Sequence, residues 1–295
     1  MPADQYFDHD DIRLRYRDEG AGVPIIFLHG WTLDLEAWQP QAIELSRSLR
    51  VIRFDRRGFG LSSGNPSIDA DVSDLRALID HLQLDRVVVV GVSQGARVAI
   101  TFAVGHAGHL SALVLDGAPD PTLPSVGGVA RELPMARYRE LARTAGLAAF
   151  REEWLEHPFM QLHTQDPDVR ELLRQIVQRY PGRDLLDWST QHDQPLAGDA
   201  LRNLRTPALV INGSLDTERR KQVGDMLASR LPDAERQLVP DGGHLANLDA
   251  PQAYNDIIRQ FLVRKMGSDL FSRSTASCRE NKSDPVFLFI EEHTQ

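Results

Sequence analysis

Cysteine is nearly absent. The single Cys278 has no second thiol in the chain, so no intramolecular disulfide is available and the fold must hold without an oxidising compartment. Positive charge is also in deficit. Lys plus Arg number 33 against 42 Asp plus Glu, a formal net charge of −9. No basic stripe is present, so nucleic acid is not an expected partner, and an acidic surface mainly favours solubility. Long apolar runs are missing too. None approaches the ~18 residues that a bilayer span requires. The opening MPADQYFDHDD lacks the basic-then-apolar layout of a secretory signal, and the expected location is cytoplasmic. There is no internal repeat, metal-ligand cluster, phosphate-cradling loop or haem motif, so neither a metal nor a cofactor is expected.

What remains is enough chain for a large core. Across 295 residues, short apolar runs alternate with segments of helical length. The runs are VPIIFLHG, LRVIRFD, RVVVVGVS, LSALVLDG, PALVING and ERQLVPDGG. Between the second and third, Val72, Leu75, Leu78, Ile79 and Leu82 recur at three- and four-residue spacing, which predicts an amphipathic helix over Asp69–Leu84. Near-continuous apolar strands alternating with helices specify an α/β fold, a mostly parallel sheet covered on both faces. YFDHDDIRLRYRDEGAG, with no helical period, reads as an antiparallel hairpin at the sheet's edge.

The rhythm breaks between Asp120 and Leu204. PDPTLPSVGGVARELP is followed by MARYRELARTAGLAAFREEWLEH and DPDVRELLRQIVQRYPGRDLLDWS, helical patterns uninterrupted by a strand. Roughly 80 residues exceed an ordinary crossover, so a helical insertion over 120–204 is expected between two core segments, 1–119 and 205–266. APQAYNDIIRQFLVRKM should close the core. The tail, 267–295, leaves the pattern. It is Ser-rich and ends in VFLFI, and it reads equally as a disordered tail, an added edge strand or non-native sequence.

The chemistry centres on Gly91-Val92-Ser93-Gln94-Gly95, a G-x-S-x-G between a strand and a helix. That context forces the serine onto a crowded corner, exposes its Oγ above the sheet and points a helix N-terminus at it. A serine hydroxyl needs a base and a carboxylate that orients the base. Asp216 lies just past PALVING and His244 just past RQLVP. The chain order Ser93, Asp216, His244 matches a hydrolase triad, and all three sit beyond strand carboxyl ends, where open α/β sheets build their sites. Asp116, at the end of ALVLDG, is the competing acid, and Asp241 reads as a turn residue. His106 and His109 sit near a helix end, solvated or facing its dipole. His157, His163 and His192 fall in the insertion, lining a pocket or exposed. The oxyanion of an acyl-transfer intermediate needs preorganised N–H donors. The expected pair is the amide of Gln94, after the nucleophile, and the amide of Trp31 in the His29-Gly30-Trp31 turn. His29, Trp154, Phe159, Met160 and Trp188 are the candidate pocket residues.

With HGW, FDRRGFGLSS, GVSQG, GSLD and GGHLANLDAP in place, the chain resembles the α/β-hydrolase superfamily over roughly Tyr6–Met266. The resemblance implies an eight-stranded, mostly parallel sheet flanked by helices, with residues 120–204 as a helical cap that supplies selectivity. Asp55, Arg57, Gly58, Gly60 and Ser62 carry the family's D-x-R-G-x-G-x-S turn, which braces a loop. Dehalogenases and epoxide hydrolases of this family use an Asp nucleophile, whereas this chain has Ser93. Its carbon–carbon hydrolases usually carry Trp after the catalytic His, whereas this chain has Leu245. GHLANLDAP is more similar to carboxylesterases and 3-oxoadipate enol-lactonases, and HGW with RFDRRG also resembles cofactor-free perhydrolases. Ala96-Arg97 stands where many relatives have a further glycine. The expectation is a carboxylic ester hydrolase acting on a small ester or lactone, as monomer or homodimer. Enol-lactonase and perhydrolase are the alternatives, and a catalytically silent ligand-binding protein is the third.

Overall fold

A computed structural model describes residues 2–123, 133–187, 194–197 and 199–267. Eight strands form one sheet: β1 (Gln5–His9), β2 (Ile12–Glu19), β3 (Pro24–Leu28), β4 (Arg50–Phe54), β5 (Val87–Val92), β6 (Leu110–Asp116), β7 (Ala208–Gly213) and β8 (Ala234–Val239). Their order is β1-β2-β4-β3-β5-β6-β7-β8. β1 and β2 form the antiparallel edge hairpin and β2 pairs antiparallel with β4. From β4 through β8 every pairing is parallel.

The apolar runs become strands because they serve two cores at once. Ile25, Phe27, Val88, Val90, Val114 and Ile211 face one core, while Ile26, Leu28, Val89, Leu113 and Val210 face the other. Each fully buried branched side chain of this kind is worth about 1.5–3 kcal/mol, so β5, buried along its whole length, is firmly seated. Helix α1 (Gln39–Leu45) packs on the first face with the terminal helix Pro251–Met266. On the second face lie α2 (Ile68–His81) and α3 (Gln94–His106). The expected helix over Asp69–Leu84 is α2. It starts one residue earlier, where the Ser67 hydroxyl accepts the Ala70 amide, and stops at His81, ahead of Gln83 at φ 53°.

Among the described residues between β6 and β7 there is no strand. The helices there are α4 (Met135–Thr144), α5 (Gly146–Leu155), α6 (Pro167–Arg179), α7 (Arg183–Leu186) and α8 (Ala200–Asn203). Each long helical pattern in the sequence is divided by a glycine at positive φ, Gly146 in the first and Gly182 in the second. Helices α9 (Glu218–Arg230), α10 (Ala246–Asp249) and α11 (Pro251–Met266) complete the helices of the described residues. Cys278 and the VFLFI segment lie outside the described residues. No helix among those described is long and apolar enough to cross a membrane.

The strand order positions the site. The chain passes from β3 outward to β4, then returns across β3 to β5, so the connections leaving β3 and β5 diverge. A crevice opens between such divergent connections at the carboxyl edge of the sheet. The turn after β5 carries Ser93 and the loop after β3 carries Trp31.

Candidate active site

Ser93 sits at φ 53°, ψ −117°, a conformation that costs a non-glycine residue on the order of 1–3 kcal/mol. Close packing enforces it. A Cβ on Gly91 would lie 2.3 Å from the Gly95 carbonyl oxygen, and one on Gly95 would lie 2.3 Å from that of Leu28. Glycine at both positions lets the corner fold back tightly and lets α3 press onto the end of β3. The Ser93 amide is fixed by the Asp116 carbonyl at 2.8 Å. Its side chain turns outward to the imidazole.

His244 Nε2 lies 3.0 Å from Ser93 Oγ, and His244 Nδ1 lies 3.1 Å from Asp216 Oδ1. Asp216 Oδ1 also accepts the Thr217 amide at 2.7 Å, and Oδ2 accepts Asn212 Nδ2 at 2.9 Å. Burial pushes the Asp216 carboxyl up. The His244 ring and the hydrogen bonds from His244, Asn212 and Thr217 outweigh burial, so the group is held below its ordinary value and stays ionised. Asp116, the competing acid, is fully buried one strand over, and the imidazole bonds Asp216 instead. Burial first, and the Asp216 charge second, raise the Asp116 carboxyl well above its ordinary value, which keeps it protonated beside an ionised neighbour. Asp241 is an exposed turn residue at φ 58°.

Gly30, before Trp31, approaches Ser93 closely: a Cβ there would be 3.4 Å from Ser93 Cβ. Among the described residues neither the Trp31 amide nor the Gln94 amide has a backbone acceptor. Both belong to segments that flank Ser93, as donors for a developing oxyanion must. The Gln94 side chain turns away, its Oε1 accepting from Arg56 Nη2 at 2.6 Å.

A cavity of about 30 Å³ adjoins Ser93 and His244. Trp31, Trp154, Phe159 and Met160 line it, together with Leu245 and Arg220. Phe159 stacks on the His244 ring at 4.1 Å between centroids and 26° between planes. His29 is a correction. Its ring is fully buried under Phe59 and does not reach the cavity. Nε2 accepts the Arg56 amide at 3.0 Å and Nδ1 lies 2.8 Å from the Gly30 carbonyl. With one nitrogen accepting and the other donating, the neutral ring is fully used. Burial, then the Arg56 charge, drives its pKa well below the ordinary value. Trp188 and His192 lie outside the described residues. His157 stacks on Trp154, His163 packs against Gly243, and the His106 ring lies tilted against Phe102 of α3. His109 contacts Arg76.

Several residues escaped the sequence reading. Arg220 lies in α9, 4.9 Å over the Phe159 ring, and bonds the Gly117 carbonyl at 2.9 Å. Arg56, beside the motif residue Arg57, ties Gln94 to the His29 carbonyl and Asp71. Asp249, within GGHLANLDAP, accepts the amides of Gly243 at 2.7 Å and of His163 and Thr164 at 2.6 and 3.1 Å, clamping the histidine loop to the segment before α6. The D-x-R-G-x-G-x-S residues brace their loop. Asp55 accepts the Leu35 and Leu61 amides, Ser62 Oγ donates to the Asp55 carbonyl, and Arg57 pairs with Asp74. A Cβ on Gly60 would collide with the Asp55 carboxylate at 2.2 Å.

Comparison with known proteins agrees with this architecture. A family profile described as "Alpha/beta hydrolase family" matches residues 25–257. A thermophilic esterase from Thermogutta terrifontis superposes with TM-score 0.73 at 30% identity, over 86% of this chain and 94% of its own. A Bacillus subtilis strain 168 protein, provisionally named a 2-succinyl-6-hydroxy-2,4-cyclohexadiene-1-carboxylate synthase, is 29% identical over 86% of this chain and 96% of its own length. A non-heme haloperoxidase of Rhodococcus erythropolis is 28% identical over 70% of this chain and 80% of its own.

Proposed function

The chain belongs to the alpha/beta hydrolase family, and we propose that within it this protein is a serine hydrolase of small carboxylic esters, with Ser93, His244 and Asp216 as its catalytic triad. The observation that carries the reading is the unbroken hydrogen-bonded line Ser93 Oγ, His244 Nε2, His244 Nδ1, Asp216 Oδ1, at 3.0 and 3.1 Å. The similarity to an esterase at 30% identity supports it.

In this mechanism Ser93 Oγ attacks the ester carbonyl carbon while its proton passes to His244 Nε2. Asp216 holds the imidazole in the tautomer with Nδ1–H and stabilises the imidazolium. The amides of Trp31 and Gln94 take the negative oxygen, each worth roughly 3–4 kcal/mol of barrier. Collapse expels the alcohol, which takes the proton from His244. Water, deprotonated by the same nitrogen, then attacks the acyl-enzyme and frees the acid and Ser93. The segment 120–204 acts as a cap, closing the acyl side of the cavity with Trp154, Phe159 and Met160. A cavity of about 30 Å³ holds only a few water-sized groups, since one water needs about 10–15 Å³, which favours acetyl- or propionyl-sized acyl groups.

The same cavity favours a second reading, a perhydrolase in which hydrogen peroxide replaces water as acceptor, and the similarity to a haloperoxidase is in line with it. Hydrolysis of p-nitrophenyl acetate, with Ser93→Ala as control, tests the main reading. Wild-type rates in that variant would refute it. Labelling of Ser93 by a fluorophosphonate separates a working site from a silent one. Peracid formation from acetate and peroxide, measured beside turnover of linear esters and lactones, ranks the acceptors. A preference for lactones would move the assignment to an enol-lactonase.

A further inference from the structure

The loop that follows β3 is anchored behind Trp31 by the bond from His29 Nδ1 to the Gly30 carbonyl and ahead of it by the bond from the Leu35 amide to Asp55, and Trp31 turns between these two anchors. Thr32 sits at φ 63°, and the turn bond from the Leu33 amide to the Gly30 carbonyl is long, 3.4 Å. Its side chains reach outward to the helices between β6 and β7. Trp31 Nε1 donates to Asp184 Oδ2 of α7 at 2.5 Å. Thr32 Oγ1 accepts from Trp154 Nε1 of α5 at 2.7 Å. Asp34 and Glu36 accept from Arg179 of α6 at 2.5 and 2.6 Å. Three helices therefore grip one short loop.

The bond to Asp184 differs from the others in its setting. Asp184 is 1% exposed and Trp31 is 7% exposed. The second carboxylate oxygen accepts from the Tyr180 hydroxyl. Around the indole stand Tyr138, Phe150, Trp154 and Tyr180, with ring centroids 4.8–6.3 Å away. Aromatic packing is tolerant of rotation and sliding, whereas a short bond to a buried carboxylate is directional. Burying a carboxylate is costly unless its oxygens are used, and here both are, one of them on Trp31, the residue that follows Gly30 beside the nucleophile.

We propose that Asp184 is a positioning residue for catalysis. By holding the Trp31 indole it fixes the Trp31 amide as an oxyanion donor, so the cap completes the oxyanion hole as well as walling the pocket. The inference rests on the esterase reading of the site. It predicts a loss in the chemical step and not in substrate binding, because the donor acts on charge that develops only in the transition state.

The test is steady-state p-nitrophenyl acetate hydrolysis by the full chain, with circular dichroism melting as the check on folding. Asp184→Leu should lose about 10- to 100-fold in kcat with KM nearly unchanged, since misplacing a catalytic group by about 1 Å costs on the order of 100-fold. Asp184→Asn should recover most of that loss, because its amide oxygen can still accept the indole N–H while its NH₂ meets the Tyr180 oxygen. Trp31→Phe keeps the aromatic packing and deletes the N–H, and should fall as Asp184→Leu does. The double variant Trp31→Phe/Asp184→Leu should fall no further. Leu186→Ala, on the exposed side of the same helix, should keep wild-type kcat. The proposal is overturned if Asp184→Leu or Trp31→Phe keeps kcat within about threefold of wild type, if the loss lies in KM, or if the two losses add. Should Asp184→Leu not fold, Trp31→Phe alone decides. A wild-type protein with no Ser93-dependent turnover would instead overturn the esterase reading.

Discussion

Two carboxylates end neighbouring strands near the imidazole, and replacing each by asparagine should separate their roles. In Asp216→Asn the geometry can survive. Asp216 receives only donors: His244 Nδ1–H and the Thr217 amide on one oxygen, Asn212 Nδ2 on the other. The new carboxamide keeps its oxygen toward His244 and turns its NH₂ toward Asn212. Among the described residues Asn212 Oδ1 is buried without a hydrogen-bond partner, so reversing the Asn212 amide supplies the acceptor. What is lost is the charge opposite the imidazolium. Two unit charges 4 Å apart at an effective dielectric constant of 20 interact by about 4 kcal/mol, which is about three decades in rate. Asp216→Asn should therefore lower kcat on ester substrates by about 10³-fold with a small change in melting temperature. Asp116→Asn replaces one neutral group by another, because burial and the Asp216 charge already keep Asp116 protonated. It should leave kcat within about threefold. Initial rates of p-nitrophenyl acetate hydrolysis at pH 7–8 decide the matter. If Asp216→Asn keeps a tenth of the activity, or if Asp116→Asn is the variant that collapses, the assignment of the acid is wrong.

Further outcomes follow from the same geometry. Gly95→Ala places a Cβ 2.3 Å from one main-chain oxygen and 2.6 Å from another. It should destabilise the fold by at least about 1–3 kcal/mol in urea titration, whereas Gly105→Ala, with open space around its Cβ, should be neutral or slightly stabilising. Met160 walls both the inner cavity and an outer, more polar one of about 400 Å³ lined by Leu155, Leu162 and Leu173 together with Glu156, Gln161 and Arg170. Met160→Ala should move the acyl preference from acetate toward butyrate or hexanoate across a p-nitrophenyl ester series, and an unchanged profile would show that the two spaces do not join. His29 is held neutral in the fold, while the unfolded chain takes up a proton near pH 6.5. Stability contributed by the neutral ring is present above that pH and falls below it, by about 1 kcal/mol per pH unit. The stability difference between wild type and His29→Gln should shrink accordingly between pH 6.5 and 5 in denaturant titrations, and a constant difference would argue that the ring accepts a proton in place.

The parts legible in the sequence are those whose physics is local. Val87–Val90 announce a buried strand because four consecutive branched residues suit a sheet covered on both faces. Ser93 is legible because a strained corner requires small residues two positions to either side. Asp216 and His244 were found by placement, each just past a strand end. What could not be read depends on partners remote in sequence. His29 occupies a suggestive motif, yet a parallel neighbour, β4, delivers the Arg56 amide to its Nε2 and takes the ring out of the pocket. Asp184 contacts Trp31 across 153 positions, and Arg220 meets Phe159 from a helix on the far side of β7. No spacing rule reaches such pairs, since the fold alone sets their separation.

The residues behind the nucleophile show how local and remote constraints combine. Gln94 and Arg97 stand one turn apart on α3 and extend in different directions. Gln94 is drawn toward Arg56, whose guanidinium also holds the His29 carbonyl and Asp71. That bond occupies the Gln94 side chain and leaves the Gln94 amide without a backbone acceptor among the described residues. Arg97 is 1% exposed and sends its donors to the carbonyls of Asp120, Leu123 and Gln194. These carbonyls belong to the start and the end of the segment between β6 and β7, so one buried guanidinium ties both ends of that segment to the nucleophile's helix. A glycine at position 96 would free the backbone of α3. Ala96, fully buried, favours the helix instead, and Arg97 uses that fixed backbone as its anchor. The helix behind Ser93, the loop bearing Trp31 and the helices over the cavity are thereby joined by buried, directional bonds. An oxyanion site gains from such joining, because donors that are already in place need not reorganise as charge develops.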